Sequence, residues 1–443
     1  MINLFKKKHF HPSFNAALMT IMANGLAIGI KFTITLISIP LIIGYLGASM
    51  YGLITTVLTM CIWINTIADG GVGLSLKNAI IKQHAEKNSS EKISELISSA
   101  FFATLALSIL LCLALSCIIP WLDWNKILNI QISISHSDLT SLILILLWTT
   151  LLIIPFSLPK LIYSAFQQEY LFSPWLILGS ILGIGLQIFI IKENQGFILA
   201  ASALQIGSWA GALFGTTWFI QSRKNLSFTF FNVKWQVLRG LAGSSMDFLL
   251  FQLTALAIFQ SGIVITNSLL GQEKAAIYAI HFQLFAYLQM LTTLIIAPFW
   301  SILAQAYYQN NKLLFKKILG YLTLFIFLLT LLISGMLAIF GRWIISFLSH
   351  HQINYMPSLL WMLASYHIIS ITVGTLTLAL LSINDTKLMR KIVILQAILT
   401  ILLSIIFVKY YGILGCALGS LVSVSATILW YSPLRVFTLF YKS

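Results

Sequence analysis

Charge is scarce in this sequence, and negative charge is the scarcest. Only 8% of the 443 residues are charged and only 11 are Asp or Glu, whereas roughly a quarter of the residues in an ordinary soluble domain are charged. The four cysteines lie within apolar runs and lack metal-site spacing, so we interpret them as small core residues. This composition excludes a soluble domain and predicts an integral membrane protein.

Catalytic motifs are also missing. The sequence has no phosphate-binding glycine loop, no GxSxG elbow and no HExxH motif. His350 and His351 are adjacent but lack the further ligands that a metal site needs. No connector is long enough to fold as a catalytic domain. We therefore predict a protein that is not an enzyme and that has no cofactor and no metal.

Apolar residues make up 59% of the chain and recur in long runs from end to end. About 20 apolar residues suffice for a helix to span a bilayer. Runs of about this length lie near residues 16–46, 51–74, 93–119, 139–162, 171–191, 196–220, 236–269, 275–305, 313–343, 355–383, 391–409 and 412–440. The prediction is an all-α integral membrane protein with twelve transmembrane helices.

Lysine and arginine fall mainly in alternate connectors, and this asymmetry orients the chain. If each span reverses the chain direction, most basic residues share the side of the N-terminus, which is cytoplasmic by the positive-inside rule. The few on the other side are Lys126, Lys192, Lys274, Arg342 and Lys409. We predict that both termini are cytoplasmic. The net charge of +15 then reflects orientation in the membrane and not nucleic-acid binding.

An internal repeat divides the spans into two lobes. LGASMYGL opens the second span and LGQEKAAIYAI opens the eighth, and each span leads into a basic, polar link. Six spans in each half give both halves the same orientation, the parallel type of repeat that some transporters have. We predict two six-helix lobes, residues 1–222 and 223–443, related by a parallel pseudo-two-fold repeat. Such folds place the substrate site between the lobes.

The first span carries the clearest candidate for substrate binding. Lys31 lies in the middle of the run 16–46, where an ammonium costs at least ~2.5 kcal/mol unless water or a partner meets it. Asn24, Lys31 and Thr35 follow one another at helical spacing and share one polar stripe. We predict that Lys31 binds an anionic group of the substrate, with Asn24 and Thr35 beside it.

Two aspartates are candidates for ion coupling. Asp247 lies in the seventh span, the counterpart of the first, and Asp69 lies at the end of the second span within TIADGGVG. Either could instead pair with Lys31 and neutralise a buried charge, and Asp69 could cap a kink. His367 and His281 are candidates for a proton relay, although histidines in helix bundles are more often hydrogen-bonded packing residues.

Other polar side chains inside the spans carry no charge. Ser370, Gly374 and Thr377 share the face of the tenth span that carries His367. Glutamines that could bind hydroxyl-rich cargo or hold helices together are Gln205, Gln283, Gln289 and Gln396. We favour helix packing for the glutamines.

Four motifs resemble those of a known family. They are PLIIGYLGASMYGL at the end of the first span, IADGGVGLSLKNAI after the second, YSAFQQEYLFSPW before the fifth and YYGILGCALGSLVS in the last. The chain resembles the polysaccharide branch of the multidrug/oligosaccharidyl-lipid/polysaccharide exporter superfamily, the O-antigen flippases, over essentially its whole length. The resemblance implies that an undecaprenyl-diphosphate-linked oligosaccharide crosses the bacterial inner membrane by alternating access, through a cationic cavity. It also implies Lys31 as the cation of the first span and Asp247 as an ion-coupling residue.

Other functions remain open from the sequence. A cation-coupled multidrug antiporter of the same fold would need acidic residues in its cavity, and only Asp247 is well placed. A flippase for peptidoglycan-precursor or teichoic-type lipids is a second alternative. A non-transporting subunit of a polysaccharide-assembly complex would tolerate the loss of Lys31. The expected partners are the lipid-linked oligosaccharide and the bilayer, with a polysaccharide polymerase and a chain-length regulator as further candidates.

Overall fold

The computed structural model of the chain describes residues 12–85, 90–130, 134–166, 168–223, 226, 229–296, 299, 303, 306–307, 311–383 and 387–441. Within these ranges it does not describe the side chains of residues 12–18, 20–21, 82, 84–85, 244, 247, 251, 387 and 440–441.

Helices make up most of the described chain, which contains no β-strand. In the first half they are α1 (Pro12–Leu46), α2 (Ala48–Asp69), α3 (Val72–Ala85), α4 (Ser90–Ile118), α5 (Trp124–Ile127), α6 (His136–Ala165), α7 (Ser173–Lys192) and α8 (Phe197–Ser222). In the second half they are α9 (Trp235–Phe259), α10 (Ser261–Leu270), α11 (Gln272–Ile296), α12 (Lys312–Leu348), α13 (Pro357–Ser382), α14 (Lys387–Tyr411), α15 (Leu414–Ala426) and α16 (Ile428–Tyr441).

The predicted all-α membrane fold is confirmed. Among the described residues, 11 helical segments are long and apolar enough to cross a membrane, and the number rises to 12 if the bent α9 is one span. The bend in α9 is 48°, between Trp235–Gly243 and Phe248–Phe259. Large apolar side chains on the outer faces of these helices remain exposed, as on α12, where the exposed fraction of Ile339 is 70%. Acyl chains would cover such faces in a bilayer.

The predicted seventh span, 236–269, is two helices. Helix α9 ends at Phe259, and α10 begins at Ser261 after Gln260. The separate α10 packs closely on α11, because a Cβ added at Gly262 would lie 2.4 Å from the Tyr278 hydroxyl oxygen. The break falls at the polar residues Gln260 and Ser261 of this run, next to the close contact of Gly262 with Tyr278.

Contacts between helices group the chain into two compact units. The first comprises Met1–Ser38, Ile64–Leu122 and Thr140–Leu250, and the second comprises Ile39–Trp63, Asp123–Leu139 and Phe251–Ser443. Helices α1, α2, α6 and α9 each contribute residues to both units. The lobe boundary between residues 222 and 223 stays a prediction.

In the first unit, α7 and α8 form a hairpin in which glycines allow backbone contact. A Cβ added at Gly207 would lie 2.4 Å from the Gly183 Cα, and one at Gly211 would lie 2.7 Å from the Gly179 Cα. Small residues four positions apart commonly bring membrane helices together in this way. The same unit has an apolar core that includes Leu76, Ile97, Tyr163, Phe172 and Phe219.

In the second unit, two glycines mark matching positions of the predicted repeat. Gly47 joins α1 to α2 with φ +83°, and Gly271 joins α10 to α11 with φ +86°. L-residues with a Cβ rarely adopt such values. The helices that follow are in contact, because a Cβ added at Gly52 would lie 2.0 Å from the Gln272 carbonyl oxygen. The two turns are consistent with the predicted two-lobe repeat.

The connector that holds α5 is fixed to the same unit. Asn267 Nδ2 and Gln272 Nε2 donate hydrogen bonds to the carbonyl oxygens of Leu128 and Asn129, at 2.7 and 2.8 Å. Asp123 caps α5 through a hydrogen bond from the Lys126 backbone N–H and lies 3.2 Å from the Lys126 ammonium. Hydrogen bonding to the Lys126 side chain, above all, lowers the pKa of Asp123.

Candidate functional site

Helix α1 carries Lys31 on an exposed part of its surface, while Ile34 and Ser38 one and two turns further on are buried. In the described part of the chain, none of the ion pairs includes Lys31. The hydroxyl of Thr35 donates to the Lys31 carbonyl oxygen at 2.9 Å. Its proton is therefore used within the helix, and its oxygen retains lone pairs that can accept a hydrogen bond.

A second lysine lies near Lys31. Lys160 follows Pro159 in α6, and its positive charge repels that of Lys31. Lys160 also forms an ion pair with Glu169, with Nζ and Oε1 3.4 Å apart. We call Lys31 and Lys160 the lysine pair. Because like charges repel, an anion bound between them would lower the electrostatic energy of this region.

Asn24 is tied to another helix of the same unit. The Ser173 hydroxyl donates a hydrogen bond to Asn24 Oδ1 at 3.0 Å, at the start of α7. This bond holds one turn of α1 against α7. The amide oxygen predicted to contact substrate is thus already engaged by protein.

Asp69 caps the turn between α2 and α3. Its Oδ2 accepts a hydrogen bond from the Gly71 backbone N–H at 3.2 Å, and Gly70 and Gly71 both have positive φ, at +58° and +76°. This geometry matches the capping role that the sequence left open for Asp69. Ion coupling by Asp69 stays a prediction.

The side chain of Asp247 lies outside the described residues. Its helical turn in α9 is described, and it packs against the turn that Asp69 caps. A Cβ added at Gly71 would lie 2.3 Å from the Ser245 carbonyl oxygen and 2.9 Å from the Leu249 nitrogen. The two predicted coupling positions thus lie on backbone segments in direct contact.

His281 and His367 are both buried in the second unit, with exposed fractions of 0%. His281 Nδ1 lies 2.7 Å from the Ile277 carbonyl oxygen, and its Nε2 accepts the Met356 backbone N–H at 3.2 Å. His367 Nδ1 lies 2.9 Å from the Leu363 carbonyl oxygen. Its ring stacks on Phe285, and its Nε2 has no hydrogen-bond partner among the described residues.

A cavity of about 300 Å³ lies within the second unit, between α9, α11, α13 and α14. None of the described residues that line it is charged, and we call it the uncharged cavity. Its polar lining includes Thr254, Gln289, Thr293, Ser370, Thr377 and Gln396. No residue predicted for substrate binding, ion coupling or the proton relay lines it.

The glutamines divide between the two roles that the sequence left open. Gln283 joins helices, because its Oε1 accepts the Tyr51 hydroxyl and its Nε2 donates to the Tyr287 hydroxyl, both at 3.1 Å. Gln289 and Gln396 line the uncharged cavity. The sequence signal for this cavity was the stripe of Ser370, Gly374 and Thr377, all of which line it.

Comparison with solved structures identifies the fold. A multidrug resistance transporter of the MATE family, solved in an inward-facing conformation, has a TM-score of 0.78 and 16% identity, with 92% of this chain and 95% of that chain covered. A Pyrococcus furiosus transporter of the same superfamily has a TM-score of 0.66 and 16% identity, with 96% of each chain covered. The chain therefore has the fold of these transporters, and its apolar helices are long enough for multiple membrane crossings.

Sequence comparisons identify the family to which the chain belongs. Residues 18–303 match the family described as polysaccharide biosynthesis protein, and the chain belongs to this family. A Salmonella typhi protein named as an O-antigen transporter is 21% identical over 426 residues, which cover 90% of this chain and 91% of that protein. A Salmonella typhimurium protein with the same name is 26% identical over 192 residues, which cover 43% and 44% of the two chains.

Proposed function

We propose that this protein is a flippase that moves an undecaprenyl-diphosphate-linked oligosaccharide across the bacterial inner membrane by alternating access. The observation that carries the proposal is the exposed Lys31, which no described acidic residue pairs with and whose charge interacts with that of Lys160. Family membership and the names of the two Salmonella relatives support the same cargo class.

The lysine pair provides positive charge for a diphosphate, which the hydrocarbon of the bilayer lacks. Charged phosphates and sugar hydroxyls lose their hydration in hydrocarbon at a prohibitive cost, so the head group needs a polar path while the lipid tail stays in the bilayer. Two cations at one end of this path would replace part of the hydration of the diphosphate. Glu169 partly neutralises Lys160 through their ion pair, so Lys31 is the stronger anion-binding group of the two.

The remaining roles belong to the same proposal. Thr35 and Asn24 would flank the bound phosphate on α1. Asp247 would couple transport to an ion gradient, with His367 as the proton-relay group, whereas Asp69 would cap the α2–α3 turn and His281 would act as a hydrogen-bonded packing residue. Both termini would lie in the cytoplasm. A polysaccharide polymerase and a chain-length regulator are candidate partners of the flippase.

The test is complementation of a strain that lacks its own O-antigen flippase, with surface polysaccharide as the readout. We expect Lys31→Ala to abolish the polysaccharide and Lys31→Arg to retain part of it, because a guanidinium keeps the charge. Lys126→Ala is the matched control, since it removes an ammonium that is 87% exposed and outside the spans. All variants are compared at equal protein abundance in the membrane.

The result also separates the rival functions. Polysaccharide that persists in Lys31→Ala removes Lys31 from the mechanism. If the wild-type protein restores no polysaccharide but confers drug resistance, the protein is the multidrug antiporter that the shared fold allows.

A further inference from the structure

The uncharged cavity of the second unit has no role in the account of the lysine pair. It lies between helices of one unit, and its walls combine hydroxyl and amide groups with apolar side chains such as Phe259. Ligand pockets of about 300–1,000 Å³ typically have such walls, mostly apolar with a few polar groups. At about 300 Å³, this cavity has the size of a small binding site.

Two hydroxyl groups of the cavity wall, those of Thr292 and Thr293, donate their protons within α11. Thr293 Oγ1 donates to the Gln289 carbonyl oxygen at 2.8 Å. Thr377 Oγ1 lies 3.1 Å from the Val373 carbonyl oxygen, to which it can donate, and also 3.0 Å from the Ser432 hydroxyl oxygen. Thr292, also in the wall, donates to the Leu288 carbonyl oxygen at 3.1 Å. A hydroxyl whose proton is used in this way still has lone pairs that accept. The wall is therefore suited to a ligand that has hydroxyl donors.

Amide groups supply the donors. Gln396 lines the cavity with an exposed fraction of only 3%, and no side-chain hydrogen bond joins it to another described residue. Its amide atoms are not among the fully buried polar atoms that lack a partner, so they retain access to open space. A polar ligand or water in the cavity would satisfy them, and Gln289 offers a second amide on α11.

The lining excludes charged occupants among the plausible ligands. A bare cation or a phosphate would be desolvated there with no described group of opposite charge to compensate it. A lipid tail would leave the Gln396 amide without a partner. We propose that the uncharged cavity binds one uncharged sugar ring of the cargo, whose hydroxyls match the acceptors and amides and whose C–H faces match the apolar wall. This inference rests on the proposed flippase function.

Gly374 provides a way to fill the cavity without disturbing the protein. It lines the cavity, and a Cβ added there would meet no atom within 4 Å. Gly335 on α12 has the same open surroundings but does not line the cavity. Gly374→Leu therefore places a side chain in the proposed sugar site, and Gly335→Leu is the matched control.

The experiment measures binding of three lipids to the full-length protein in detergent by native mass spectrometry. The probes are undecaprenyl diphosphate, the same lipid bearing one N-acetylhexosamine, and the same lipid bearing one uronic acid. We expect the wild-type protein to bind the N-acetylhexosamine lipid about tenfold more tightly than the other two, an effect the size of one or two net hydrogen bonds. Gly374→Leu and Gln396→Ala should lose this preference but still bind undecaprenyl diphosphate, and Gly335→Leu should keep it.

Each outcome bears on a different claim. If the wild-type protein binds all three lipids equally, or if Gly374→Leu keeps the preference, the sugar site is wrong while the flippase proposal stands. If Lys31→Ala loses all three lipids and Gly374→Leu loses only the sugar preference, both proposals are supported. Failure of the wild-type protein to bind any of the lipids overturns both.

Discussion

The Ser173 hydroxyl donates a hydrogen bond to Asn24 Oδ1 over 3.0 Å, and this bond joins α1 to α7 through residues 149 positions apart in the chain. It holds the helix that carries Lys31 in place within the first unit. Asn24 therefore holds α1 against α7, and the substrate contact predicted for it stays a prediction.

A double-mutant cycle tests this bond. Asn24→Ala and Ser173→Ala should each lower the free energy of unfolding by about 0.6 kcal/mol, the average for hydrogen bonds between membrane helices. The double variant should have the same free energy of unfolding as the less stable of the two single variants, because both changes remove the same bond. Unfolding in mixed detergent micelles gives the three values, and additive losses would show that the two residues act independently.

Two substitutions of Asp69 distinguish a role in capping the α2–α3 turn from a role in ion coupling. Asp69→Asn keeps an oxygen that can accept the Gly71 N–H, so we expect at least half of the wild-type surface polysaccharide. Asp69→Ala removes the acceptor and should lower both protein abundance and polysaccharide. An Asp69→Asn protein that is abundant but inactive would instead identify the carboxylate as a coupling group.

Because α7 packs closely on α8, alanine substitutions at two glycines of this hairpin should differ strongly in their effect on stability. Gly207→Ala should lower the free energy of unfolding by about 1–3 kcal/mol, because its Cβ would meet the Gly183 backbone at 2.4 Å and backbone atoms must move. Gly185→Ala on the same hairpin meets no atom within 4 Å and should change stability by less than about 1 kcal/mol. Thermal unfolding in detergent compares the two, and equal effects would contradict the described packing.

The two buried histidines should differ in their effect on the pH dependence of transport. His281 accepts a hydrogen bond on Nε2 and has the Ile277 carbonyl beside Nδ1, an arrangement of the neutral ring. We expect His281→Gln to lower stability and leave the pH profile unchanged. Only His367 has a ring nitrogen without a partner among the described residues, so a shifted profile is expected in His367→Gln alone. Transport into vesicles across a pH series is the measurement.

The positions of the spans could be predicted because they depend on local composition. An apolar run of sufficient length must form a helix in a bilayer, and this rule placed most of the helices. It could not detect the break at Gln260, which depends on how closely Gly262 approaches Tyr278. Gln260 and Ser261 are polar, but Gln252 and Thr254 in the same run are also polar and lie within a continuous helix, so polarity alone does not predict the break.

The residues of the candidate sites could be predicted from their type, but the residues they contact could not. Charge alone singled out Lys31, and helical spacing placed Thr35 on its stripe. Spacing could not reveal that Lys160 lies near Lys31, because that proximity depends on how α6 packs. Gln283 and Gln396 look alike in sequence, yet one joins helices and the other lines a cavity.

The volume of the uncharged cavity bears on the range of glycans that one carrier could serve. At about 300 Å³ it has room for one ring and not for a chain of rings, so the distal sugars of a long glycan would remain in bulk solvent. Their linkage and branching would then face no selection at this site. With a sugar site of this size, changes in the length or branching of the glycan beyond the bound ring would not affect binding at this site.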